Sequence, residues 1–251
     1  MFELVIPVAG KGSRFNACIP KPLIEISNGK VTKTLLDWSM DCLPMELVRK
    51  VHFVTNADND DKIEAHTRKM WGDKVDLDFI VDGNPQGQAA SALLGIKRCN
   101  GPVIMANCDQ WVRPGWKNEP GLDRHDWSPI YDVLTGKTAV LVPTFNGEGP
   151  KWSYACEDRD KDVACLIEKP VKEPKDGKAI VGIFIYHEAA LAAAWIEAMM
   201  KRKFTVNGEY YTAPSINEAV QRGFIVKTMP CTMYGIGTPE DCVVFKDIKL
   251  P

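Results

Sequence analysis

Gly10, Lys11, Gly12, Arg14 and Lys21 crowd together directly after an apolar run, Leu4 to Val8. Glycines let a backbone approach a ligand closely, and successive exposed N–H groups bind anions. Three cations beside such a loop suit a polyphosphate. Two carboxylates follow the same pattern: Asp82 comes just after the run Asp78 to Val81, and Asp109 just after Val103 to Ala106. In open α/β sheets ligands collect outside the carboxyl ends of strands. Gly10, Asp82 and Asp109 are therefore expected at one surface.

The elements that must position them read as strands alternating with helices. Leu4 to Val8, Val51 to Val54, Asp78 to Val81 and Val103 to Ala106 are short apolar strands. Thr34 to Leu43, a stretch from Asp58–Asp61 to Trp71, and Gln88 to Arg98 are helices between them, stopped by Pro44 and Gly72. Leu23 to Ile26 reads as a further short strand before the Asn28-Gly29 turn. This rhythm predicts an α/β protein with a mostly parallel sheet. From Gln110 to Asp126 the pattern breaks, and Trp111, Trp116 and Trp127 among Pro, Gly and charges predict a long loop or lid anchored on the core. Beyond it, Thr138 to Phe145, Trp152 to Cys156, Val163 to Glu168 and Ile180 to Tyr186 follow without long helices, which implies an antiparallel or mixed section. Glu188 to Lys203 and Ala213 to Arg222 are helices, and Phe224 to Met229 a strand. A closing helix starts with Thr238 as N-cap and Pro239 in its first position. No repeat or linker interrupts the chain, so residues 1–251 are expected as a single domain, with the glycine-loop half at 1–110 and a second half of different character at 111–251.

Composition narrows the partners. The 251 residues are 45% hydrophobic and 25% charged, with a formal net charge of −2, which gives no general reason to expect nucleic acid or an acidic membrane. Eight cysteines are scattered singly with no C-x-x-C pair, so a zinc site is not expected. No apolar run reaches membrane-spanning length, and a cytoplasmic location is the expectation. The four histidines lie in unrelated contexts and receive no chemical role.

Three familiar phosphate motifs fail on the opening loop. A P-loop needs its lysine after the second glycine, whereas Lys11 lies between Gly10 and Gly12. Phe15 replaces the third glycine of the dinucleotide fingerprint. The companion motifs of a protein-kinase glycine loop are missing. What matches is Ala9-Gly10-Lys11-Gly12-Ser13-Arg14-Phe15 followed by Pro20-Lys21-Pro22-Leu23. This resembles the sugar-phosphate nucleotidyltransferases, the NDP-sugar pyrophosphorylases, and in particular their short capsule or surface-polysaccharide cytidylyltransferase-like members. Gly87-Gln88-Ala89-Ala90-Ser91-Ala92-Leu93, Asn107-Cys108-Asp109, Glu168-Lys169-Pro170, Val181-Gly182-Ile183, Asn207-Gly208-Glu209-Tyr210-Tyr211 and Gly237-Thr238-Pro239-Glu240-Asp241 resemble later family segments, in order.

The resemblance implies a three-layer, Rossmann-like mixed and mostly parallel sheet of the nucleotidyltransferase or GT-A-like kind. It also implies a reaction: a phosphorylated small molecule attacks the α-phosphorus of a nucleoside triphosphate, favoured as CTP, and pyrophosphate leaves. Ala9, Gly10 and Gly12 then face the phosphates, Arg14 holds pyrophosphate and Lys21 offsets charge near the α-phosphate. Asp109 holds Mg2+. Asp82, Gln86 and Gly87 lie toward the base; Lys169 meets the acceptor phosphate; Glu168, Gly182 and Glu209 meet its organic part. Lys151-Trp152-Ser153, after the loop 146–150, is a segment able to close over it.

One departure stands out. Family members often carry a second metal aspartate shortly before a late Gly-Thr, and here Gly235 occupies that place. Either one aspartate suffices, or another carboxylate such as Glu209 or Asp241 serves. Two other functions stay open: a glycosyltransferase using a nucleotide-sugar, which would want Asp-x-Asp where Asn107-Cys108-Asp109 stands, and a nucleotide-binding module without turnover.

Overall fold

The computed structural model describes residues 1–10, 12, 15, 18–115 and 127–248. Strand β1 (Phe2–Pro7) lies at the centre, and its side chains alternate: Phe2, Leu4 and Ile6 join one apolar cluster while Val5 joins the other. A short hairpin, β2 (Glu25–Ser27) and β3 (Thr32–Thr34), leads into α1 (Leu35–Asp41), whose first N–H groups are capped by the Thr34 hydroxyl at Asp37. Then come β4 (Val48–Thr55), α2 (Asp60–Trp71), β5 (Asp76–Val81), α3 (Gln88–Ile96) and β6 (Val103–Ala106). Strands β6, β1, β4 and β5 pair side by side in parallel, as the alternation predicts.

The second half contains β7 (Gln110–Pro114), α4 (Ile130–Leu134), β8 (Val140–Phe145), β9 (Tyr154–Glu157), β10 (Val163–Ile167), β11 (Lys178–Ile180) and β12 (Ile183–Tyr186). It closes with α5 (Ala189–Lys201), α6 (Thr212–Gln221), β13 (Val226–Gly235) and α7 (Pro239–Lys246). Strand β12 joins the halves by pairing antiparallel with both β6 and β8; β11, β9 and β10 extend the sheet antiparallel to its edge. The result is a mixed sheet between two helical layers. Helices α3, α5 and α6 supply the apolar cluster on one face; α1, α2, α4 and α7 supply that on the other. Among the described residues no helix is long and apolar enough to cross a membrane.

Four expectations change. The strand at Leu23 to Ile26 begins only at Glu25, because Lys21–Leu23 form one 3₁₀ turn after Pro20. The expected strand from Ile180 to Tyr186 is split at Gly182, whose φ of +91° ends β11 and starts β12. Helix α4 was not expected. Residues 110–114 are a strand rather than a loop: β7 pairs antiparallel with the last part of β13, and Trp111 is buried against Tyr234 at 5.9 Å between ring centroids. Trp127 is buried too, whereas Trp116 and the remaining lid residues 117–126 lie outside the described residues. Strand β13 reaches this pairing by leaving β8, with which its residues 226–230 run parallel. Its length follows from having two partners in succession.

Within the parallel strands, Glu3 near the start of β1 and His52 midway along β4 form a buried polar group that ties β1, β4 and β5 together. Both nitrogens of His52 face carboxylates, Glu3 at 2.5 Å and Asp78 at 2.9 Å. Burial pushes the Glu3 carboxyl up, but hydrogen bonds from His52, the Asn100 N–H and Arg49 outweigh it and hold it below the usual carboxylate range.

Candidate active site

Lys21 and Asp109 meet at the carboxyl ends of the central strands. The lysine is fixed by the turn between Pro20 and Ile24, and its Nζ lies 2.6 Å from Asp109 Oδ2. Both side chains are partly exposed, at 18% and 29%. Asp109 sits in the tight link between β6 and β7, and its carbonyl accepts the Ile236 N–H at 2.9 Å. Two glycines make this approach possible. A β-carbon on Gly12, where φ is +61°, would lie 2.5 Å from Lys21 Cβ, and one on Gly237 would lie 2.9 Å from Asp109 Oδ2. The neighbouring Cys108 thiol is pushed up to about 12, first by burial and then by the Asp109 charge, so it supplies no thiolate.

From Asp109 a cavity of about 620 Å³ runs along the sheet surface to Glu168 and Lys169, with Gly182 in its wall. The residue before Pro170, Lys169, has φ +42°; its Nζ donates to the Tyr211 hydroxyl at 2.5 Å and lies 3.8 Å from that ring's centroid. The Tyr211 hydroxyl in turn donates to Glu209 at 2.7 Å. Glu209 is therefore placed behind Tyr211, which itself lines the cavity. Glu168 accepts from the Ser153 hydroxyl at 2.5 Å. Burial raises its carboxyl above the usual range, against the Ser153 hydrogen bond and the Lys169 charge, which lower it. Ser153→Ala removes one lowering contact, so the Glu168 carboxyl should ionise at still higher pH. A carboxyl NMR titration checks this, and an unmoved midpoint would show that the hydroxyl contact is inert.

Among the described residues, Ala9, Gly10, Gly12, Asp82, Gln86 and Gly87 are not in the lining of this cavity. Ala9 is buried, with its carbonyl accepting from Asn56 at 2.8 Å; Gly10 is open, with nothing within 4 Å of where a β-carbon would be. Asp82 is buried, and its two oxygens accept from the Asn84 N–H and the Ser91 hydroxyl, so it pins the 82–87 loop from within rather than facing outward. Gln86 is exposed, and its carbonyl accepts the Tyr210 N–H. Gly87, at φ +113°, is pressed on Tyr210: a β-carbon would lie 2.6 Å from that residue's backbone nitrogen. Arg14 lies outside the described residues.

Sequence reasoning missed the knot that joins the two halves. The Gln88 amide donates to Asn107 Oδ1, while Gln88 Oε1 accepts the Thr212 N–H at 3.3 Å. A β-carbon on Gly182 would lie 2.4 Å from Asn107 Nδ2, so the glycine that splits the strand also seats this amide. Gln88 directly follows Gly87 and Tyr211 lies two residues after Glu209, which were the available signals. Nothing local pointed to Ser153 as the partner of Glu168.

The donor set suits a hard divalent cation: Asp109 and Asp241 both offer carboxylate oxygen to the cavity, and Gly235 and Gly237 leave a cradle there that β-carbons would fill. Comparison with known proteins agrees with this architecture. The chain belongs to the nucleotidyl transferase family, whose sequence model matches residues 4–205. A 2-C-methyl-D-erythritol 4-phosphate cytidylyltransferase from Idiomarina loihiensis is 33% identical over 93 residues, which is 37% of this chain and 34% of that protein. This chain thus matches about a third of that relative's length. Among solved structures, the nucleoside-diphosphate-sugar pyrophosphorylase from Vibrio cholerae RC9 superposes with a TM-score of 0.76 at 19% identity, covering 98% of this chain and 100% of that one. The inositol-1-phosphate CTP transferase from T. maritima does so with a TM-score of 0.70 at 14% identity, covering 98% and 96%. These two likenesses establish the shared fold.

Proposed function

We propose that this chain, acting as a single domain over residues 1–251, transfers CMP from CTP onto a phosphorylated small molecule and releases pyrophosphate, with Mg2+ as cofactor. The observation that carries this reading is the Lys21–Asp109 pair at one end of the cavity with Lys169 and Glu168 at the other, which leaves room for two phosphorylated substrates between opposed cations. CTP is favoured because the partial relative is a cytidylyltransferase and one structural neighbour a CTP transferase.

An oxygen of the acceptor phosphate forms the new bond to the α-phosphorus as the bond to the β-phosphate oxygen breaks. The acceptor is already largely dianionic at neutral pH, so no general base is required. The protein's task is alignment and charge neutralisation. Lys21 offsets charge at the α-phosphate, Arg14 holds the departing pyrophosphate, and the backbone of Ala9, Gly10 and Gly12 lies along the phosphates. Lys169 takes the acceptor phosphate, propped on Tyr211, with Glu168 and the Gly182 backbone beside its organic part and Glu209 fixing Tyr211. Gln86 faces the base, while Asp82 and Gly87 hold its loop. Asp109 would hold Mg2+, which would supply positive charge against the crowded phosphates.

A pyrophosphate-release screen tests this, crossing the four ribonucleoside triphosphates and dTTP with phosphorylated sugars, polyols, cholines and amino acids. One CTP pair should react, and Asp109→Ala should abolish it. Turnover by Asp109→Ala would remove the metal assignment. Binding of CTP without pyrophosphate from any pair would point to a nucleotide-binding module, and consumption of a nucleotide-sugar to a glycosyltransferase.

A further inference from the structure

We infer that Asp241 supplies a second carboxylate to the divalent cation, from the space that Gly235 leaves open. The inference rests on the proposed function for the presence of the metal. Strand β13 ends at Gly235, opposite Gln110 of β7, and the chain turns through Ile236 and Gly237 into α7. A β-carbon at Gly235 would lie 3.5 Å from Asp241 Oδ2 and 3.8 Å from Oδ1. The Asp241 carboxylate therefore stands where a side chain from position 235 would project. Gly235, Gly237, Asp109 and Asp241 line the same cavity, and a β-carbon on Gly237 would touch Asp109 Oδ2 and come within 3.6 Å of Lys21 Nζ. The two carboxylates thus flank one short glycine-bearing segment.

The rival carboxylate is placed elsewhere. Glu209 accepts from Tyr211 and does not line the cavity. The helix-capping duty of the 241 position is carried by its backbone, whose N–H donates to Thr238 Oγ1 at 3.2 Å, so the side chain serves a different end. A second observation bears on the same cavity. Gln110 lines the cavity beside Gly182 and is 95% buried, and its Nε2 has no hydrogen-bond partner, which a buried donor seldom lacks. Ligand charge count sets affinity for a hard divalent cation, so an anionic oxygen from Asp241 matters more than its shape.

Mn2+ titrations followed by electron paramagnetic resonance test the inference on three proteins: wild type, Asp241→Asn, and Asp241→Asn combined with Gly235→Asp. Position 235 is not in the left-handed region, and its β-carbon would make only ordinary contacts, so the double variant is sterically admissible. Asp241→Asn should weaken Mn2+ binding about tenfold or more, with melting temperature unchanged, and the double variant should recover most of it. Mn2+ affinity in Asp241→Asn equal to wild type would overturn the inference, as would pyrophosphate release by a wild type that binds no Mn2+. The first result leaves the proposed function standing; the second leaves its nucleotidyl transfer and removes its metal. That function fails separately, if no pair in the screen releases pyrophosphate.

Discussion

Lys21→Ala should lower kcat/KM for pyrophosphate release by about a thousandfold, the order lost when one preorganised charge is removed from a developing anion. The ammonium is held by a proline-bounded turn, covered by Gly12 and set 2.6 Å from Asp109. Its position is thus fixed before substrate arrives, and removing it leaves the α-phosphate and the aspartate facing each other unscreened. Lys21→Arg should recover little, because a planar guanidinium cannot occupy the space beside Gly237. The pair is partly exposed, so folding stability should change by only about 1 kcal/mol or less. Single-turnover assays with melting curves separate the two effects. Activity within tenfold of wild type would mean that Arg14 and Lys11 carry the charge without it.

Gly87→Ala should cost roughly 3 kcal/mol of stability or more, since its backbone region is nearly exclusive to glycine and the added carbon meets main-chain atoms. Its φ and ψ are +113° and 171°, and the β-carbon would fall 2.6 and 2.7 Å from the nitrogen and oxygen of Tyr210. Neither of those can move without breaking the bonds that Tyr210 makes to Gln86 and Ala89. For a chain of this size each kcal/mol is worth about 2–4 °C, so the melting temperature should fall by about 10 °C. Gly83→Ala is the control: nothing lies within 4 Å of its β-carbon, and it should melt with the wild type. Because Tyr210 precedes the tyrosine that props Lys169, the Gly87 variant should also raise KM for the phosphorylated acceptor. A melting temperature within about 2 °C of wild type would show that the loop yields.

The parallel half was legible because its strands are apolar runs separated by amphipathic helices, and each element is specified by nearby residues. Thr238 and Pro239 announced α7 in the same local way. Strand β7 was not legible: Gln110, Trp111 and Arg113 take their conformation from β13, more than a hundred residues on, and no local pattern records that pairing. The site divides along the same line. Lys21 and Asp109, 88 residues apart, stood out because each belongs to a motif, Pro20-Lys21-Pro22 and Asn107-Cys108-Asp109, the second just past the end of a strand. The segments holding Ser153, Tyr211 and Asn107 also stood out, but their contacts with Glu168, Lys169 and Gln88 did not, since those partners are distant in sequence. Asp82 shows the converse: a carboxylate in a suggestive place that folding turns inward.

Ser153 immediately precedes β9 and Glu168 immediately follows β10, the antiparallel ribbon at the far edge of the sheet, whereas Asp109 follows the central strand β6 and holds Lys21 there. An edge ribbon has a strand neighbour on one side only, so its ties to the rest are few and nameable: the pairing with β11 and the contacts of Asp162, Glu157 and Leu166 with Lys227, Thr228 and Asn217. The segment from about residue 146 to 178 is therefore a natural cassette. Under the proposed function, new acceptor chemistry can be grafted there, by mutation or by design, while the machinery that handles the triphosphate is left untouched.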